Sequence, residues 1–260
     1  MFLLIIEGLV IGCLLGLTGA GGGILAVPAL MASQGWTVAQ AAPVGLLAIN
    51  LAALIGTVQG LFNKIVRYRA AIWIAIISIP SARYGVHLSH IVEPLWLTLA
   101  FAVVMLIVAY RSFFNRVNDF ENPPCKVSPS TGRFIWNIKT ASILGGLGVI
   151  AGLLTGLLGV GGGFVIVPAL RKVTNLDMYS IVATSLMIIF LIGSFSISIH
   201  VLDGFQYPLE VTFSFVLACI VGMLIGRRII TLIPVKTVQK IFATTVTFVA
   251  AYLILSALSA

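Results

Sequence analysis

The groups in this chain best suited to chemistry are backbone groups bared by glycine. GLTGAGGGILAVPAL runs from Gly16 to Leu30, and GLLGVGGGFVIVPAL runs from Gly156 to Leu170. The copies lie 140 positions apart and share ten of fifteen aligned residues, so the chain reads as a duplication. Each holds a spaced glycine and a triplet: Gly19 with Gly21, Gly22 and Gly23, and Gly159 with Gly161, Gly162 and Gly163. Pro28 or Pro168 follows. Glycine costs about 1 kcal/mol per residue in a helix interior relative to alanine, so a triplet predicts an interrupted helix. A short helix restarting at Ile24 or Phe164 would aim unpaired N–H groups and the positive end of its dipole at the turn. With no Cβ in the way, that arrangement suits an anion. The competing reading is close packing, because Gly12 and Gly16 form one small-xxx-small row and Gly148, Gly152 and Gly156 another.

Soluble nucleotide motifs do not fit. A P-loop needs Lys and then Ser or Thr after its last glycine, and GxGxxG needs a third glycine; Ile24 and Phe164 stand in those places. Cys13, Cys125 and Cys219 have no metal-ligand spacing around them. An intramembrane enzyme would require a convergent nucleophile and base or a ligand set, and the apolar segments offer none. No cofactor is expected.

These motifs sit in a chain made for a bilayer. Hydrophobic residues make up 60% of it and charged residues 8%, against about a quarter charged in a soluble domain. The net charge of +8 is dispersed in clusters at segment ends: Lys64, Arg67 and Arg69; Arg111 and Arg116; Arg171 and Lys172; Arg227 and Arg228. That distribution marks topology and argues against nucleic acid. The N-terminal MFLLIIEG lacks the basic flank of a cleavable signal peptide.

The expected fold is an all-α polytopic membrane protein of two homologous repeats, each with about four apolar segments and a glycine-broken or re-entrant first helix. The repeats cover residues 1–114 and 140–260, joined by a polar linker at 115–139. After each broken stretch (Phe2 to Met31, Ala141 to Leu170), spans are expected at about Ala39–Leu61, Ala70–Leu88 and Pro94–Phe113, then Met178–Val201, Pro208–Ile230 and Val235–Leu258. If each glycine stretch crosses once, the basic clusters split between two faces. If it doubles back, they gather on one face, opposite the Ala32–Val38 loop and Asp203. The positive-inside rule favours the second case, which makes the repeats inverted, a transporter design with a midplane site.

The doubled GxGGG with V-P-A-L, the total length and Ala183-Thr184-Ser185-Leu186 resemble the TauE/SafE family of sulfite exporters. The resemblance spans essentially the whole chain. It implies ATP-independent movement of sulfur-containing anions such as sulfite, thiosulfate or organosulfonates across a prokaryotic inner membrane. It also implies that Thr184 and Ser185 face the substrate, against the alternative of bonding between helices. The first repeat departs from the pattern, reading Pro43-Val44-Gly45-Leu46 where the second carries hydroxyls, and Pro80 is followed by Ser81-Ala82-Arg83. Arg83 within a span would grip an anion, or would snorkel to the interface if the span is shorter. Asn50, Gln59 and Ser194 are further polar groups within spans, with Asn50 a candidate ligand. A coupling proton would need Glu7, His87, His90 or His200, each read as lying near a segment end. The expected partners are a small anion, the lipid bilayer and a coupling proton. A carboxylate substrate and a non-transporting scaffold are the alternatives.

Overall fold

The computed structural model describes residues 2–19, 22–114, 124–127, 134–229 and 235–259. Gly21, Arg116 and most of the 115–139 linker lie outside them. The described residues form ten helices: α1 (Phe2–Thr18), α2 (Gly23–Gln34), α3 (Val38–Phe62), α4 (Tyr68–Ile91), α5 (Pro94–Phe114), α6 (Ile138–Leu158), α7 (Gly163–Val173), α8 (Met178–Leu202), α9 (Leu209–Ile229) and α10 (Val235–Ser259). Six of them, α3, α4, α5, α6, α8 and α9, are long and apolar enough to cross a membrane.

Local chemistry sets the ends. Asn137 accepts from the Thr140 amide at 2.7 Å to start α6, and Asp177 accepts from the Ser180 amide at 3.1 Å to start α8. At α3 the Gln40 side chain accepts from the Thr37 amide in a capping box. Gly19 and Gly159 close α1 and α6 in the left-handed conformation, their amides bonding Leu15 and Thr155 carbonyls. Pro28 and Pro168 lie inside α2 and α7, within or just past the first turn and a half, where few backbone acceptors are lost.

α2 runs back along α1. Ser33 on its last turn lies beside Glu7 near the start of α1, and a Cβ on Gly22 would collide with the backbone of Ile11 and Leu15. α7 returns along α6 in the same way: Cys125 bonds the end of α7 through the Val173 carbonyl and also meets Thr140 on the first turn of α6. Each glycine stretch is thus the tip of a hairpin.

The hairpins enter from opposite ends. α1 lies parallel to α9, with Gly8, Gly12 and Gly16 seated on the Phe215, Cys219 and Met223 backbone. α6 lies parallel to α4, with Gly148, Gly152 and Gly156 on Ile74, Ser78 and Ala82. These rows pack the helices at backbone distance, the role small residues play in membranes. Exchanging each of α1–α5 for α6–α10 maps the principal helix pairings onto one another: α1–α9 onto α4–α6, α4–α8 onto α3–α9, and α3–α8 and α5–α10 onto themselves. α3 and α8 hold the centre, 72% and 67% enclosed, whereas α5 is 28% enclosed at the rim.

This path gathers Lys64, Arg67, Arg111, Arg171, Lys172, Arg227 and Arg228 on one face. Glu93, Asp203 and Glu210 lie on the other, where His90 and His200 approach to 6.5 Å between ring centroids. Trp73 and Trp136 meet edge to face at 6.1 Å, and Trp73 donates to the Ala141 carbonyl.

Ala32 and Lys172 occupy matching exposed positions on the last turns of α2 and α7. Ala32→Cys and Lys172→Cys variants are expected to react with a membrane-impermeant maleimide from opposite faces of sealed vesicles. Labelling of both from one face would rule out the antiparallel hairpins.

Candidate functional site

The two hairpin tips converge at mid-depth. A Cβ placed on Gly23 would stand 2.9 Å from the Val160 carbonyl oxygen and 3.3 Å from Ile49, and one on Gly161 would stand 3.0 Å from Ile189. Ile49 and Ile189 are close to the middles of α3 and α8, so the central helices flank the meeting point. Gly22, Gly23, Gly159, Gly161, Gly162 and Gly163 are all buried.

The tips differ in backbone. Gly162 precedes α7 in the left-handed region at φ 62°, beside Gly161 at φ 71°, whereas Gly22 precedes α2 with helical angles, φ −58° and ψ −33°. At Gly162 a side chain would be strained twice, by φ and by the Ala151 carbonyl oxygen 2.7 Å from its Cβ. Beyond these turns the amides of Gly23 and Ile24, and of Gly163 and Phe164, are first-turn donors with no acceptor a turn earlier in their own helices. Two positive dipole ends therefore abut in a dry environment.

The polar side chains near the tips are engaged within the protein. Ser185 on α8 donates its hydroxyl to the Gly19 carbonyl at 2.9 Å, shared with the Val182 carbonyl at 2.8 Å. Thr184 accepts the Arg67 amide at 3.0 Å, tying α8 to the start of α4. Asn50 donates to Ser194 at 3.1 Å, and its carbonyl oxygen is buried without a partner. Thr184 and Ser185 therefore support the first tip and the junction behind it.

Arg83 is not brought to the tips. It lies on the exposed face of α4, a little over two turns from the helix end, the placement in which a long basic side chain reaches the interface. His87 and His90 are exposed. His200, read from sequence as an interfacial residue, is instead 5% exposed, with Nε2 unpartnered against Phe205 and His90. Among the described residues no group of three or more His, Cys, Asp or Glu side chains could hold a metal ion.

Residues 4–253 match the family described as Sulfite exporter TauE/SafE. The chain belongs to the TauE/SafE family. Its relatives include a probable membrane transporter protein of Xylella fastidiosa (strain Temecula1), 27% identical over 95% of this chain and 92% of that one. The probable membrane transporter protein YunE of Bacillus subtilis is 26% identical over 87% of this chain and 86% of its own. No solved structure matches the chain. This TauE/SafE protein is a multi-pass membrane transporter with a small-molecule substrate, and it is not an enzyme.

Removing the Ser185 hydroxyl leaves the Gly19 carbonyl short of a buried donor. Ser185→Ala should cost about 1 kcal/mol or somewhat more, read as a lowered unfolding midpoint in detergent. Ser198→Ala, at an exposed hydroxyl that bonds only its own helix, should stay within about 0.5 kcal/mol of wild type.

Proposed function

We propose that this protein is a secondary transporter of small sulfur-containing anions, sulfite, thiosulfate or an organosulfonate, in a prokaryotic inner membrane. The observation that carries the reading is the convergence of the Gly23 and Gly161 turns between Ile49 and Ile189. Two helix N-termini there offer bare amides and positive dipole ends to one point. The family description supplies the sulfur oxyanion. The positive-inside rule puts the basic face toward the cytoplasm.

In this reading the structure is an occluded conformation. With the tips in contact an anion has no room, so binding requires them to part, and alternating access opens the meeting point to one face at a time. Gly22, Gly23, Gly162 and Gly163 present the donors, Gly19, Gly159 and Gly161 shape the turns, and Gly21 belongs to the first turn by sequence. Pro28 and Pro168 stiffen the returning helices, Ser185 and Thr184 position the first tip, and Asn50 offers a buried amide nearby. Arg83 has no part in it, and no residue is assigned to a coupling proton.

The test is flux into proteoliposomes of sulfite, thiosulfate, taurine, sulfate and acetate, paired with thermal shift in detergent. A sulfur oxyanion or sulfonate should be carried and should raise the melting temperature, by an amount that grows as its concentration exceeds the dissociation constant. Gly162→Ala should abolish that shift, with a stability cost of about 1–3 kcal/mol from its positive φ. Carriage of acetate alone would replace the sulfur anion by a carboxylate; carriage of none would remove the anion reading.

A further inference from the structure

On the basic face, beside the first hairpin tip, lies a cavity of about 640 Å³. Gly16 of α1 forms part of its wall, and so does Val182, the residue on which Gly19 rests. Phe62, Leu224 and Ile225 are among its apolar lining residues, and Gln59, Asn63, Tyr179 and two arginines are its polar ones.

Arg227 is the unusual member. It is half-buried, and one guanidinium N–H donates to the Gly56 carbonyl on α3 at 2.6 Å. No carboxylate among the described residues pairs with it. Asp177, the one described acidic residue on this face, is committed to capping α8. Symmetry shows that the packing does not demand an arginine: Gly16 sits against the Arg227 amide as Gly156 sits against that of Val86. The fold thus accepts a valine at the equivalent place. A guanidinium held by a single carbonyl keeps further N–H donors in a planar fork suited to a carboxylate or sulfonate.

Size narrows the ligand. A bare sulfite ion would leave most of such a cavity empty, whereas the volume falls within the usual range for small organic ligands, about 300–1,000 Å³. We propose that this cavity is a receiving site for an organic anion, a sulfonate or carboxylate carried on a short carbon chain. Its charged group docks on Arg227 and its chain lies against Val182 and Leu224 before transfer to the tips. This rests on the reading of the protein as an anion transporter, and it makes Arg227 a substrate-binding residue that acts from the basic face alone.

The experiment measures uptake of ethanesulfonate and sulfite by proteoliposomes whose basic face is outward, with binding followed by thermal shift in lipid-free detergent. Arg227→Gln is expected to raise the KM for ethanesulfonate tenfold or more, as loss of a charged hydrogen bond does. Maximal velocity should be preserved, and Arg227→Lys should recover part of the loss. Unchanged KM in an Arg227→Gln protein that still carries the anion overturns the cavity and leaves the transporter reading intact. Wild-type protein that carries no anion overturns both. Stabilisation by phosphatidylglycerol but not by ethanesulfonate, lost in Arg227→Gln, would make the cavity a lipid headgroup site and overturn the proposal. If neither Arg227 variant folds, Asn63→Asp sets a competing carboxylate at the cavity edge; it should raise KM comparably, and an unchanged value overturns the proposal.

Discussion

Everything in this structure follows from one constraint: a helix broken inside a membrane leaves backbone groups that lipid cannot satisfy. The chain breaks two helices and buries both breaks. The Gly19 carbonyl is met by Ser185, 166 residues away in sequence, and the turn itself is walled by Val182. Gly159 is held against Ala42 in the equivalent place. Enclosing two turns takes two long central helices, and α3 and α8 are the most enclosed of the spans. The outer helices then pack around that pair.

The solution is symmetric in architecture and unequal in chemistry. Ser185 on α8 is matched on α3 by Gly45, which packs on Ala26 and Val27 and donates nothing. Gly162 is left-handed where Gly22 is helical. Arg227 is matched by Val86. Around the two tips the halves thus differ in hydroxyl, charge and turn geometry, and one tip lies toward the basic surface while the other lies toward the acidic one.

Much of this was legible in the sequence because it was local. Glycine triplets and the limits of the apolar runs announced where helices start and stop, and most expected span ends fall within about two residues of the observed ones. The charge pattern pointed to glycine stretches that double back, because only that path gathers the basic clusters on one face. What could not be read was long-range. Thr184 and Ser185 stood out by resemblance, but that their hydroxyls brace the Arg67 amide and the Gly19 carbonyl is something no spacing encodes. Arg83 drew notice for its depth within an apolar segment, yet its face of α4 is exposed. Arg227 passed as one of a terminal basic pair because hydropathy cannot show that its side chain turns inward to Gly56. His200 lies near a helix end as read, and its burial escaped notice for the same reason: a helix end can be buried by its neighbours.

The pairing of helices also limits how the protein can move. The sequence suggests residues 1–114 and 140–260 as natural bodies, but the closest backbone approaches run between them, α1 on α9 through Gly8, Gly12, Gly16, Gly222 and Gly226, and α4 on α6 through Gly85, Gly148, Gly152 and Gly156. Interfaces made by backbone lying on backbone have no side chains to re-pack and so resist sliding. Under the proposed alternating access the bodies that would travel intact are therefore mixed: α1 with α9 carrying the first tip, and α4 with α6 carrying the second. The tips meet through one backbone contact, Gly23 on the Val160 carbonyl, and through side chains, Gly23 on Ile49 and Gly161 on Ile189; in the proposed reading those are the contacts that part. Arg227 rides on α9 while the Gly56 carbonyl that it grips belongs to α3, so in the same reading a shift of the α1–α9 pair away from α3 would stretch that bond.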